Sequence, residues 1–179
     1  MGLYRKKDYL YQWEVKWKRA SRFPIDVFDR LKDFCLVYPV YSEQLLIEQM
    51  SSKRHYYFEN DELILARVPF QYKGIVDTKP NLRDSFFWEY DTTVMDWTWT
   101  YKCVIERVLS RGVVSDFEEL VRFYGKETVL NTFRNQCNSF WDDMEEDARI
   151  YFGLEKEDLL IYHIRKSHNF WSPWNRMTV

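Results

Sequence analysis

Alanine occurs only three times in this chain, at Ala20, Ala66 and Ala148, and glycine and proline only five times each. Collagen-like and coiled-coil classes are excluded on composition alone. Three cysteines are too few for a disulfide scaffold. No stretch approaches the roughly 18 uninterrupted apolar residues that a spanning helix needs, so no membrane partner is expected. Long disorder is not expected either, because disordered chains are poor in aromatics. What the chain has instead is aromatic mass: 8 Trp, 13 Tyr and 13 Phe in 179 residues, with 46% hydrophobic and 30% charged residues. That length suits one ordinary domain or two very small ones.

The formal net charge of −2 conceals an asymmetry. Residues 1–80 carry 14 Lys/Arg against 11 Asp/Glu, and residues 81–179 carry 12 against 17. Most of the N-terminal excess comes from Arg5, Lys6, Lys7, Lys16, Lys18, Arg19 and Arg22, against Asp8 and Glu14. A basic arm of this kind neutralises phosphates or an acidic partner surface; the alternative is an ordinary solvated face. Cys35, Cys103 and Cys137 are widely spaced, show no C-x-x-C or Cys/His zinc spacing, and read as free core thiols in a reducing compartment. The opening MGLYRKKDYLY lacks an apolar signal region, so a cytoplasmic protein is expected.

No internal repeat is evident, and the clearest boundary lies at 74–83, which holds a glycine, a proline and little helical periodicity. Residues 8–20 alternate in a way that favours a strand over a helix. Pro24 suits a first helical turn, and Val27, Phe28, Leu31, Phe34 and Cys35 recur at helical spacing, predicting a helix over 25–36 that Pro39 ends. Ser42 is placed to cap a short helix. Two β-prone runs at 55–59 and 62–68 flank Asn60-Asp61 as a hairpin, and a third run at 70–76 extends the sheet. Downstream, Asp96 is predicted to cap a helix to Arg111 with Trp97, Tyr101, Val104, Ile105, Val108 and Leu109 inward. Ser115 and Glu118 have capping-box spacing. Further helices are predicted at 126–136, from a cap at Ser139, and over 155–166, and the tail is expected to pack on the body. The expected fold is therefore α+β and mainly α. A small N-terminal helix/β-hairpin unit (1–78) precedes a C-terminal helical bundle (83–179).

Several constellations bear on chemistry. The segment 116–136 resembles a helix-turn-helix joined at Gly125, with Lys126, Glu127, Thr128, Asn131 and Arg134 facing outward; Asn and Arg read base edges. Two packed helices of a small bundle are the alternative. The N-terminal order of helix, helix and hairpin fits a winged helix with Lys53, Arg54, His55 and Arg67 near the wing, or a generic α+β unit. Candidate nucleic-acid contacts are thus Lys16, Lys18, Arg19, Arg54, Lys126, Asn131 and Arg134. Asp61 with Asp77 and Lys79 has the acid and D-x-K pattern of Mg²⁺-dependent nucleases, in which the acids hold the metal; a loop of turn formers reads the same way. The acidic run 142–147 fits the favoured start of a helix better than an ion loop. Asp142, Asp143 and Glu146 in it are candidates for docking a basic partner. His163 and His168, five apart, lack zinc-pair spacing. No phosphate loop, nucleophile elbow or other cofactor motif is present, so no reaction, cofactor or metal is named.

The stretch 86–171 looks familiar. Phe87-Trp88-Glu89-Tyr90-Asp91 with Met95-Asp96-Trp97 resembles the opening of a family of small bacterial helical domains of unknown function. The run from Val104 to Gly112 resembles its "IIERVLERG" segment, Phe123-Tyr124-Gly125 its "YYG", and Phe152 to Asp158 its "FGIPKED", with Glu155 where proline is usual. His168-Asn169-Phe170-Trp171 resembles its terminal element. In that family the domain is often encoded beside a nucleotidyltransferase-type abortive-infection toxin. The resemblance implies an antitoxin or partner role in phage defence and supplies no catalytic residues. Trp88, Trp97 and Trp171 fall in the matching segments and read as packing that closes the bundle. The leading expectation is a bacterial, non-enzymatic binding protein with a toxin-type protein partner and a second, DNA-binding capacity. The Mg²⁺ nuclease and an accessory protein without a ligand are the alternatives.

Overall fold

A computed structural model describes residues 11–52, 56–69, 79–140 and 144–170, of which 52 and 168–170 are described in backbone only. The chain divides into two compact units, Met1–Gln71 and Tyr72–Val179. The expected boundary at 74–83 and the third run at 70–76 lie largely outside the described residues, as does the tail from 171. The mainly helical α+β class is as the sequence predicts: an antiparallel sheet in the first unit, helices in the second.

In the first unit, strands β1 (Tyr11–Trp17), β2 (Ile25–Phe28), β3 (Tyr57–Glu59) and β4 (Leu63–Pro69) form one antiparallel sheet in the order β2-β1-β4-β3. The alternation across 11–17 puts Trp13, Val15 and Trp17 on one face. The register sets Val15 opposite Asp26 on one side and Leu65 on the other, and Trp17 opposite Leu63. Helices α1 (Leu31–Val37) and α2 (Glu43–Ser52) follow β2 in the chain. Their Leu31, Phe34, Leu46 and Met50 join Val15, Phe28, Leu63 and Leu65 in a single buried cluster. Full burial of a side chain such as Phe28 or Phe34 contributes about 1.5–3 kcal/mol.

The helix expected over 25–36 is instead a strand followed by a shorter helix. Residues 25–28 also alternate, and pairing with β1 buries Asp26 and Phe28 together. Asp26 is tolerated there because Trp17 Nε1 (2.8 Å) and Tyr38 Oη (3.2 Å) donate to its carboxylate. The expected hairpin is present, and its Asn60 Oδ1 accepts the backbone N–H of Glu62 and Leu63, both at 2.9 Å. It forms one half of the sheet.

The second unit opens with a 3-10 turn at Asp84–Phe87, then places α3 (Tyr101–Arg111), α4 (Val114–Tyr124) and α5 (Lys126–Asn135) against one another. Helix α6 (Glu146–Phe152), a 3-10 turn at Lys156–Asp158 and α7 (Leu160–Phe170) follow. Of the predicted stripe, Trp97, Val104, Ile105, Val108 and Leu109 are buried and Tyr101 is half-buried. Several predicted starts are displaced. Asp96 caps a turn rather than the helix, accepting the N–H of Thr98 (3.1 Å) and Trp99 (2.9 Å) five residues before α3. Helix α4 starts earlier than a Ser115 cap would place it, because Asp116 Oδ2 reaches back to the Val113 N–H at 2.9 Å. Ser139 does not cap a helix; its N–H donates to Glu106 Oε1 at 2.7 Å, and α6 begins only at Glu146. The last helix starts at Leu160, after the 3-10 turn.

Candidate functional site

The stretch between the 3-10 turn and α3 splits its aromatics into two sets. Phe86, Phe87 and Trp97 are buried, with the Phe87 and Trp97 rings edge to face at 5.2 Å. Tyr124 Oη fastens this turn from α4 by donating to the Trp97 carbonyl at 2.7 Å. The remaining aromatics face outward, Trp88 at 73% exposed and Tyr90 and Trp99 at 46% each, together with Val94 at 78%. The expectation that Trp88 closes the bundle is corrected here; Trp97 does so, and Trp171 lies outside the described residues.

These outward residues sit on a fixed scaffold. Arg107 of α3 donates to the Phe86 carbonyl at 3.1 Å, pairs with Glu89, and holds its guanidinium 4.9 Å from the Tyr90 ring centre. The Tyr90 hydroxyl meets Cys103 Sγ at 3.9 Å. The negative charge that Cys103 would carry, its hydrogen bond and burial together hold the Tyr90 phenol above its ordinary range. Asp91 fixes the next turn through the N–H (3.0 Å) and hydroxyl (2.6 Å) of Thr93, and these bonds hold its carboxyl below the usual range. Nothing in a hydrophobicity count separates Trp88 from Trp97. The separating signal is local: Trp97 falls on the stripe that continues through α3, and Trp88 does not.

The residues singled out as nucleic-acid contacts are divided between the two units. Lys16 pairs with Glu14 (3.0 Å), Lys18 with Glu59 (2.7 Å) and Arg19 with Glu62 (3.4 Å), so each of these cations is partly neutralised. Arg54 lies outside the described residues. Lys126 is exposed at the start of α5, and Asn131 accepts from Asn135 Nδ2 at 3.0 Å. Arg134, expected to face outward, is 5% exposed. Thr132, Phe133 and Gln136 are buried with it, so this end of α5 is enclosed and presents no guanidinium to a groove.

Beside α4 a shallow cleft of about 410 Å³ is lined by Asn81, Ser115, Asp116, Glu118, Glu119 and Arg122. Two of its carboxylates, Asp116 and Glu119, serve the fold. Asp116 takes Arg83 at 2.6 Å in addition to the Val113 N–H, and Glu119 takes Arg122 through two nitrogens at 2.7 and 2.8 Å plus the Asn81 N–H at 2.6 Å. Arg122 therefore holds the Glu119 carboxyl below its usual range.

The acidic run is divided in the same manner. Asp142 and Asp143 lie outside the described residues. Glu146 is exposed near Arg149 (3.8 Å), whereas Glu145 turns inward to Arg165 at 2.7 Å. Asp61 is exposed on the hairpin, Asp77 is outside the described residues, and Lys79 pairs with Asp84 at 2.9 Å. His163 Nε2 meets the Glu157 carbonyl at 2.9 Å, and the side chain of His168 is not described. All three cysteines are free thiols. Among the described residues no helix is long and apolar enough to cross a membrane.

A family model described as a family of unknown function (DUF6922) matches residues 82–133, less than a third of the chain. The match begins at the aromatic turn and runs through α3 and α4 into α5. No curated protein matches the chain, and no solved structure does.

Proposed function

We propose that the chain is a non-enzymatic bacterial binding protein that docks a protein partner through the aromatic turn of its helical unit. In this reading the partner is a nucleotidyltransferase-type toxin, the chain serves as its antitoxin in phage defence, and both act in the cytoplasm. The observation that carries the proposal is the outward set Trp88, Tyr90, Val94 and Trp99 within the family-matched stretch. Tryptophan, tyrosine and arginine dominate the energetics of protein interfaces. A turn already fixed by Asp91, Asp96 and Arg107 loses little freedom on docking, which favours affinity. The resemblance to domains encoded beside such toxins supplies the identity of the partner. A DNA contact through α5 is not favoured, since Arg134 is buried and Glu118 and Glu127 are exposed nearby in the sequence.

Co-expression with the product of the adjacent gene tests the proposal. The two chains are expected to co-purify, and Trp88→Ala or Val94→Asp is expected to weaken the complex at least about 10-fold, as loss of an interface anchor does. A chain that stays alone in native lysate, or a complex indifferent to both substitutions, overturns it.

A further inference from the structure

We propose that one end of the N-terminal sheet binds single-stranded nucleic acid, with bases stacking on Tyr11 and Tyr56 and a backbone phosphate held by Arg67. The register creates the site. Trp13 lies opposite Arg67 across β1 and β4, Tyr11 lies opposite Pro69, and the Arg67 N–H donates to the Tyr56 carbonyl at 2.9 Å. The Arg67 guanidinium carbon is then 4.4 Å from the Tyr11 ring centre and 4.7 Å from that of Tyr56. Trp13 meets the Tyr56 ring edge to face at 6.3 Å. On the same face of the sheet Val15 and Leu65 are covered by the helices, but here Tyr11 is 48% exposed, Tyr56 62%, and Arg67 is exposed.

Charge separates this cation from its neighbours. Lys16, Lys18, Arg19 and Arg30 each have a carboxylate partner, whereas among the described residues Arg67 has two tyrosine rings. Rings engage a guanidinium through its charge but accept none of its five N–H donors, which suit a phosphate oxygen pair. Exposed rings beside such a donor match a nucleotide, which offers an aromatic face and a phosphate a short span apart. Base faces are free in a single strand and stacked inside a duplex, which fixes the form of the ligand. This site is built from residues of the first unit, and the partner surface proposed above from residues of the second.

The test is fluorescence anisotropy on the full chain with labelled oligothymidylate and oligouridylate of about a dozen nucleotides, a duplex of equal length, and oligoglutamate as competitor. Binding of one or both single strands is expected, weakening steeply between about 50 and about 200 mM salt. Thymidylate against uridylate separates a DNA from an RNA ligand. Tyr56→Ala is expected to weaken binding roughly 10-fold, with Tyr56→Phe retaining it, and Arg67→Gln is expected to flatten the salt dependence. The Tyr56→Phe and Arg67→Gln comparison remains decisive should Tyr56→Ala lose its fold by circular dichroism. No single-strand binding at about 50 mM salt overturns the proposal. So does equal affinity for the duplex, equal competition by oligoglutamate, or indifference to Arg67→Gln.

Discussion

Gly125 and Gly153 each follow a helix with positive φ, yet they impose different demands on a side chain. At Gly153 φ is 63° and ψ 41°, the left-handed helical well that asparagine visits at modest cost. At Gly125 φ is 83° and ψ 143°, a region open essentially to glycine alone. A Cβ at Gly125 would meet nothing within 4 Å, so its cost is purely conformational. Urea denaturation should therefore find Gly153→Asn milder than Gly153→Ala, while Gly125→Asn and Gly125→Ala both cost about 1–3 kcal/mol. A clear advantage of asparagine at Gly125 would contradict the backbone described here. Cys35 offers a second residue-scale outcome. Burial, with the Glu43 charge second, pushes its thiol from 9.0 up to about 11. Because the folded value is the higher one, the associated stabilisation is complete below pH 9 and is lost as pH rises towards 11. Iodoacetamide at about pH 8 should alkylate Cys35 roughly 10-fold more slowly in the folded chain than in urea, since the loss of thiolate is partly offset by the greater nucleophilicity of the more basic thiolate. Equal rates in the two states would contradict the burial.

At the scale of elements, periodicity identified which residues face inward better than it identified what kind of element carries them. Val27, Phe28, Leu31 and Phe34 satisfy a helical spacing, yet Asp26 and Phe28 also alternate as a strand does, and pairing with β1 decides the matter. Helix starts moved for a related reason: Asp116 outcompetes Ser115 as a cap because its carboxylate also takes Arg83. The inward turn of Glu145 was illegible in a run of like charges, since its partner Arg165 is supplied by α7. That pair joins the start of α6 to the last helix. Glu145 Oε1 lies 2.7 Å from Arg165, whose other nitrogen donates to the Phe140 carbonyl at 2.9 Å. The Glu145 side chain is 7% exposed, so removing only the cation strands a buried charge. Arg165→Met is expected to cost about 3–5 kcal/mol. The double variant with Glu145→Leu should recover much of that loss, because an apolar pair leaves no buried charge uncompensated. A double variant no more stable than Arg165→Met would show that the pair does not act as a unit.

Across the whole molecule, the charge asymmetry is real in composition, and among the described residues part of it is engaged within the fold, as at Lys18 with Glu59 and Glu145 with Arg165. Large rings and apolar groups are exposed in both units: Tyr11 and Tyr56 around Arg67 in the first, and Trp88, Val94 and Trp99 in the second. The two proposed surfaces therefore differ in their physics. One relies on phosphate neutralisation and must weaken with salt, whereas the other relies on burial of apolar area and must be far less sensitive. Each is also assembled by residues of one unit alone. Measured side by side on the full chain, Tyr56→Ala should weaken oligonucleotide binding roughly 10-fold and leave partner affinity within about 2-fold. Trp88→Ala should do the reverse, and raising salt from about 50 to about 200 mM should separate the two activities without any substitution. Loss of both activities from either single substitution, in chains whose circular dichroism is intact, would show that one surface serves both ligands.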